Sequence, residues 1–362
     1  MHNNALLQKY LHILIISDTI QKNTNIPNRK ENTMETQKSN VTVLAVDTGN
    51  HSMKTPNTVF RASLIRDAGN LEGDRLILPN GDGYCIGNTE ENHTDSKANE
   101  KYKMLTMIAM AKELIAQSKK SVENLPKSYT RDNVVLVLGL PPEHMQTYKE
   151  EYKKYFVGRY VFTYANISFN LNVTEVMVFT QCLGAAGGYL GGLMKKHTDI
   201  YLIDIGGYTT DVLRIFNGKP DRNVVITDSF GVLHYYHDLR HTIATKKKWR
   251  LGNENFDHYF VETKKEDKPN DRCYDIYEET SKEYTDKMMS DLYSQGVRLE
   301  SSLPVFFGGG SKVFQTAIKN YFAESLPEAM FAPEFITDVK ANAIGYKNNA
   351  EQILNKRYSQ GQ

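Results

Sequence analysis

Two segments constrain this chain more than anything else in it. Residues 42–54 read TVLAVDTGNHSMK and residues 199–213 read DIYLIDIGGYTTDVL. In each, an apolar run with the length and composition of a buried strand ends in an aspartate, Asp47 or Asp204, and then passes through a glycine-bearing polar turn. The continuations SMKTPNTVF and TTDVLRIFN read as return strands, so both segments are hairpins with acidic, glycine-bearing tips. A tight turn requires the glycines but not the carboxylates. The repetition predicts two related lobes, one around each hairpin.

Composition is compatible with that reading. With 362 residues, 40% hydrophobic and 24% charged, the chain is long enough for two cores and has ordinary globular composition. A formal net charge of +1 provides no overall field for gripping DNA or anionic lipid, which argues against direct nucleic-acid binding. Cys85, Cys182 and Cys273 are odd in number and far apart, so neither a disulfide framework nor a CxxC metal knuckle is expected, and a reducing cytoplasm fits best.

Residues 1–40 differ from the rest of the chain. ALLQKYLHILIISD is apolar but too short to span a bilayer, contains His12 and lacks a small-residue cleavage site. Behind it lies a polar stretch without periodicity that reads as disordered, with a second methionine, Met34, inside it. Purine-rich codons for RKEN, just ahead of Met34, would supply a ribosome-binding sequence. The favoured reading is that residues 1–33 precede the true start, and the alternative is an amphipathic anchor or a filament-binding arm. No membrane association is expected under the favoured reading.

The hairpin tips suit phosphate. Glycines let main-chain N–H groups approach phosphate oxygens, and hydroxyls of Ser52, Thr209 and Thr210 would add donors. A bare carboxylate beside a polyphosphate would be repelled, so Asp47 and Asp204 call for an intervening cation, for which Mg²⁺ is the natural candidate. Lys54 either returns along the first hairpin as a point charge for the terminal phosphates or is a solvated surface lysine. Later, LPVFFGGGSKVFQTAIKNYF reads as a strand, a glycine turn and a helix opened by Ser311, a second cradle for a nucleotide. Between the hairpins, EVMVFTQCLGAAGGYLGGLMKK reads as a strand followed by a helix opened at Thr180 or Gln181. The small residues from Gly184 to Gly188 suit close packing of that helix at a hinge between lobes.

These stretches carry a resemblance. DTGNHSMK, FTQCLGAAGG, IDIGGYTTDV, FFGGGSKVF and ANAIGY occur in the order of the phosphate-1, connect-1, phosphate-2, adenosine and connect-2 motifs of the actin, heat-shock chaperone and sugar kinase superfamily. The sequence resembles a bacterial actin, and VVLVLGLPPEHMQTYKEEY resembles the strand and GLP turn of the ParM and Alp group of plasmid-segregation actins. The resemblance spans about residues 41–355.

It implies that Asp47, Gly49, Asn50 and Lys54 form phosphate-1, that Asp204, Gly206, Gly207, Tyr208 and Thr209 form phosphate-2, and that Gly308, Gly309, Gly310 and Ser311 form the adenosine motif. Asp47 and Asp204 would hold Mg²⁺ largely through waters. Gln181 matches the actin glutamine that orients the attacking water, whereas ParM itself has a glutamate nearby. The implied catalytic set is therefore Gln181, Asp204 and Asp47.

The implied fold is α/β and actin-like. It has two lobes, each a mixed β-sheet flanked by helices, with a nucleotide cleft between them. Lobe I takes residues 41–180 with 335–358 packing back on it, and lobe II takes 181–334. Residues 66–130 and 230–300 are expected to cap the lobes, and the sole tryptophan, Trp249, beside a lysine run is a candidate subunit contact. The implied activity is Mg²⁺-dependent hydrolysis of ATP or GTP coupled to self-polymerisation. Such filaments would segregate plasmid DNA in the bacterial cytoplasm through a DNA-binding adaptor of ParR type at a plasmid centromere. The alternatives are a sugar or acetate kinase, or a cell-shape or division actin. A kinase needs a base for its acceptor, and the one candidate, Asp211, suits hairpin stabilisation better.

Overall fold

The computed structural model describes residues 41–67, 74–87, 94, 96–252 and 273–360; the N-terminal extension and residues 253–272, just past Trp249, lie outside them. The chain divides into two compact units, one comprising residues up to Leu193 and from Lys340 onward, the other Met194–Val339.

The first unit contains β1 (Thr42–Thr48), β2 (Ser52–Lys54), β3 (Val59–Arg61), β4 (Leu64–Arg66), β5 (Arg75–Ile77) and β6 (Gly83–Ile86). After these come α1 (Glu100–Ser118), β7 (Ser128–Leu140), α2 (Met145–Phe156), β8 (Gly158–Tyr164), β9 (Ile167–Thr180) and α3 (Leu183–Lys196). Its nine-stranded sheet runs β3-β2-β1-β7-β9-β8-β5-β6-β4. The second unit contains β10 (Asp199–Ile205), β11 (Thr210–Phe216), β12 (Lys219–Asp228), α4 (Val232–Lys247), α5 (Tyr274–Ser294), β13 (Leu303–Phe307), α6 (Gly309–Val313), α7 (Gln315–Ser325) and β14 (Glu334–Phe335). Its sheet runs β12-β11-β10-β13-β14.

One five-strand pattern occurs twice. β1 and β10 each sit centrally, paired antiparallel with the following strand, which pairs antiparallel with a third. On the other side each pairs parallel with β7 or β13, and these pair parallel with β9 or β14. Central strands covered on both faces should carry continuous apolar runs, and they do, over Val43–Val46 of β1 and Ile200–Ile203 of β10. Leu44 and Val46 of β1 join one core cluster, while Ala45 joins another with Val137, Phe179 and, from the C-terminal helix Ala341–Ser359, Tyr346, Ala350 and Leu354.

The two hairpins differ. β10 and β11 pair without a break from Asp199↔Phe216 to Ile205↔Thr210. The segment SMKTPNTVF, read above as one return strand, is split into β2 and β3. Pro56 has no N–H to donate, and the turn closes through Thr55 N to Thr58 O at 2.8 Å and Thr58 N to Thr55 Oγ1 at 2.9 Å. Buried Glu113 of α1 holds this turn, accepting from Asn57 N at 3.2 Å and Asn57 Nδ2 at 2.8 Å.

The sequence reading put the first lobe boundary after residue 180, whereas the division between units falls in the last turn of α3. The reason is packing: Gly184 in the first turn of α3 abuts the C-terminal helix. A Cβ on Gly345 would overlap the Gly184 carbonyl, and a Cβ on Gly184 would overlap the Tyr346 ring. Ala185 N also donates to Asn342 Oδ1 at 3.0 Å. The close helix contact anticipated from these small residues thus joins two helices of the same unit. No helix among the described residues is long and apolar enough to cross a membrane. Trp249 is 40% exposed, just past the left-handed Lys248 that ends α4.

Candidate functional site

In the first unit, β1 delivers Asp47 to its C-terminal end, where the carboxylate is 2% exposed. Lys54, its register partner across the hairpin, donates to Asp47 Oδ2 at 3.2 Å. Gln181 donates from Nε2 to Asp47 Oδ1 at 3.1 Å. Gln181 reaches this place because β7 and β9 run parallel to β1, so all three strands end on the same edge, and its N–H bonds Leu140 O at the end of β7. The helix expected at Thr180 or Gln181 begins at Leu183, after Cys182 takes a left-handed φ of 68° that turns the chain.

The turn beyond Asp47 is well tied. Gly49 lies in it, and Asn50 Oδ1 accepts from Tyr102 Oη at 2.9 Å and Thr94 N at 3.3 Å. Lys97 is 5% exposed and donates to the carbonyl of Thr48. His51 is held neutral: burial first, then the charges of Arg61 and Lys54, push its pKa down to about 4.

In the second unit, Asp204 ends β10 in the same way and is 8% exposed. Gly206 N donates to Thr209 O at 2.8 Å, closing the loop that carries Gly207 and Tyr208. The carbonyls of Gly206 and Gly207 accept from Val232 N at 3.1 Å and Leu233 N at 2.8 Å, so this loop caps the orphan N–H groups of α4. The Tyr208 ring lies edge-on to His234. Across the sheet, β13 runs into Gly308, whose φ is +84°, and a Cβ there would overlap Asp204 Oδ1 and the Ile205 carbonyl. Glycine is required on both counts. Gly309 opens α6, ahead of the Ser311 start read from the sequence, and Ser311 Oγ donates to Gly308 O at 2.8 Å. Asp211 faces Asp204 across the hairpin and accepts from Thr227 Oγ1 at 2.6 Å.

The candidate residues therefore gather in two groups. Asp47, Gly49, Asn50, Lys54 and Gln181 meet in the first unit, while Asp204, Gly206 to Thr209 and Gly308 to Ser311 meet in the second. Among the described residues no group of His, Cys, Asp or Glu is assembled that could hold a metal ion alone. Sequence reasoning missed Lys97, which sits in an unpatterned polar stretch. It also missed Gly231, which directly precedes α4 and whose carbonyl accepts from Tyr284 Oη at 2.8 Å; a glycine ahead of a helical period was the available signal.

Two sheets that share one five-strand pattern, each with a buried aspartate near the end of its central strand beside a glycine turn, decide the fold. The fold is actin-like. Residues 45–184 match the family described as actin like proteins N terminal domain. The chain is similar to the crystal structure of the actin-like protein Alp7A, at 14% identity and a TM-score of 0.67, covering 88% of this chain and 99% of that one. It is likewise similar to Bacillus thuringiensis ParM with ATP, at 12% identity and a TM-score of 0.57 over 88% and 99% of the chains. An Alp12 filament structure matches at 16% identity and a TM-score of 0.55, over the same shares. No curated protein sequence matches this actin-like chain.

Proposed function

We propose that this actin-like protein is a nucleotide-dependent ATPase that polymerises, and that its filaments segregate plasmid DNA through a DNA-binding adaptor in the bacterial cytoplasm. The observation that carries this reading is that Asp47 in one unit and Asp204 in the other hold equivalent positions, each buried at the end of the central strand of the shared five-strand pattern and each beside a glycine turn. Similar folds in a ParM with ATP and in an Alp12 filament support the nucleotide and the assembly.

Each residue has a distinct role in this reading. Main-chain N–H groups of the glycine turns receive phosphate oxygens, and Lys54 offsets their charge while held on Asp47. Gln181 spends an amide N–H on Asp47 Oδ1, which directs the amide oxygen to accept a proton of the attacking water. Positioning of this kind is the main demand in phosphoryl transfer to water. Mg²⁺, carried in by the nucleotide and organised through waters by Asp47 and Asp204, would neutralise charge on the transferred phosphoryl group. GTP in place of ATP is compatible with the same contacts.

Asp204→Ala is the direct test. Nucleotide-dependent phosphate release should fall to background while the variant keeps the circular dichroism of the parent. Turnover at the parental rate would overturn the assignment. Sedimentation of the unaltered protein with ATP, and without it, tests the assembly half of the reading.

A further inference from the structure

On the first unit, the outer ends of β7, β8 and β9 form an open groove of about 300 Å³. Beneath it three rings are stacked in the core of the unit, Tyr129, Phe162 and Phe169 being 6%, 3% and 1% exposed. Tyr129 and Phe169 lie 5.3 Å apart with planes at 4°, and Phe162 and Phe169 lie 5.1 Å apart at 10°. Leu78, Pro79 and Val161 form the sides, and Val161 is 49% exposed. Two polar atoms of its lining, Tyr129 Oη and Asn170 Oδ1, have no hydrogen-bond partner among the described residues. The rim is cationic. Exposed Lys127 flanks it in the chain, and the Arg131 guanidinium lies 5.8 Å from the Tyr129 ring centre. The acids nearby are already paired, Asp132 with Arg159 and Asp82 with Arg66.

On the second unit, the loop between α7 and β14 presents Met330 at 67% exposure, the largest value among the exposed large apolar side chains described. The loop is fixed rather than loose: Ala329 N bonds Leu326 O at 3.0 Å, Met330 N bonds Glu300 O at 2.8 Å, and Phe331 meets His197 edge-on at 4.6 Å. Glu328 and Glu334 are exposed on this loop and beside it, and Glu300 is tied to it through its carbonyl. The apolar knob is thus bordered by acid, and the apolar groove by base.

We infer that Met330 of one copy of this chain seats in the apolar groove of the next copy, with the Glu328 side of the loop against Lys127 and Arg131. This rests on the assembly reading above and names its contact. A flexible thioether side chain adapts to the apolar sides formed by Leu78, Pro79 and Val161, and opposite charges at a rim set orientation more than affinity. Made once per pair of copies, the contact between these two different surfaces is heterologous and leaves a free knob and a free groove to which further copies add.

The test uses the full chain with ATP and two variants at exposed positions, Met330→Glu and Val161→Glu. Neither touches the aspartate hairpins, so both should bind ATP as the parent does. Each alone should raise the concentration threshold for pelleting at least about tenfold, the scale of one lost hot-spot contact. Mixed in equal amounts they should form a species of twice the monomer mass by analytical ultracentrifugation. The first variant keeps an intact groove and the second an intact knob. Arg131→Glu should also raise the threshold, and Glu328→Arg in the same chain should lower it again.

Assembly of both variants at the parental threshold would overturn this contact while leaving the assembly reading intact, and would point to a small apolar ligand or another protein as the groove's occupant. A mixture that stays monomeric would overturn it equally. An unaltered chain that binds ATP yet never assembles would overturn both.

Discussion

Gln181 and Asp47 are 134 positions apart in the chain, yet Gln181 Nε2 donates to Asp47 Oδ1 at 3.1 Å. The contact fixes the amide in one orientation at the end of three parallel strands, which in the proposed role would spare the glutamine a rotamer search. Replacing it with alanine should lower the hydrolysis rate about tenfold to a hundredfold with nucleotide affinity changed less than about threefold, since water orientation is needed mainly in the transition state. Single-turnover phosphate release set against equilibrium nucleotide binding separates the two. Weakened binding at an unchanged rate would refute the assigned role.

Gly308→Ala should destabilise the second unit. Its φ of +84° with ψ of 173° costs a non-glycine residue about 1–3 kcal/mol, and the added methyl would overlap Asp204 Oδ1 and the Ile205 carbonyl. The neighbouring Gly309→Ala is the control, because its Cβ would meet nothing within 4 Å and Gly309 already lies in α6. Urea denaturation should show a loss of about 2 kcal/mol or more for the first and a change within about 0.5 kcal/mol for the second.

Gly345→Ala sets two effects against each other. Alanine is favoured in a helix interior by about 1 kcal/mol, so propensity alone predicts a more stable protein. The Cβ would overlap the Gly184 carbonyl, and a backbone atom cannot rotate away as a side chain can. Overlap should win, with a lower thermal midpoint and a loss of about 2 kcal/mol or more. A raised midpoint would show that the two helices have room to separate.

His51 predicts the acid side of the stability profile. Its folded pKa of about 4 lies below the ordinary 6.5, so between these values the unfolded chain binds a proton that the folded chain refuses. Its contribution to stability therefore declines as pH falls from about 6.5 to about 4, with a slope no steeper than about 1.4 kcal/mol per pH unit. His51→Gln should flatten the curve in that window. An NMR titration placing the imidazole near 6.5 in the folded protein would contradict this.

Much of the fold was legible because it is written locally. A hairpin declares itself through an apolar run, a turn and a second run, and the glycine at its tip reports a backbone need that no neighbour has to supply. Pro56 and the threonines around it likewise carried the information that splits β2 from β3, although the return strand was read as unbroken. Lys97 shows the opposite case: nothing in TDSKANEK distinguishes a lysine that buries itself against the Thr48 carbonyl from one that faces water.

By itself, the sequence determined that two strand, aspartate and glycine units exist, that each returns as a hairpin, and that a glycine cradle follows the strand at Leu303–Phe307. All of these depend on residues within a few positions of one another. Only the tertiary structure decided which groups meet those aspartates. Parallel strands joined by long crossovers end on a common sheet edge, and this places Gln181 on Asp47 and Gly308 against Asp204. It also pairs Gly184 with Gly345 across two helices. Such contacts are fixed by strand order and helix crossing, which depend on how whole elements pack and leave no periodic mark in the chain.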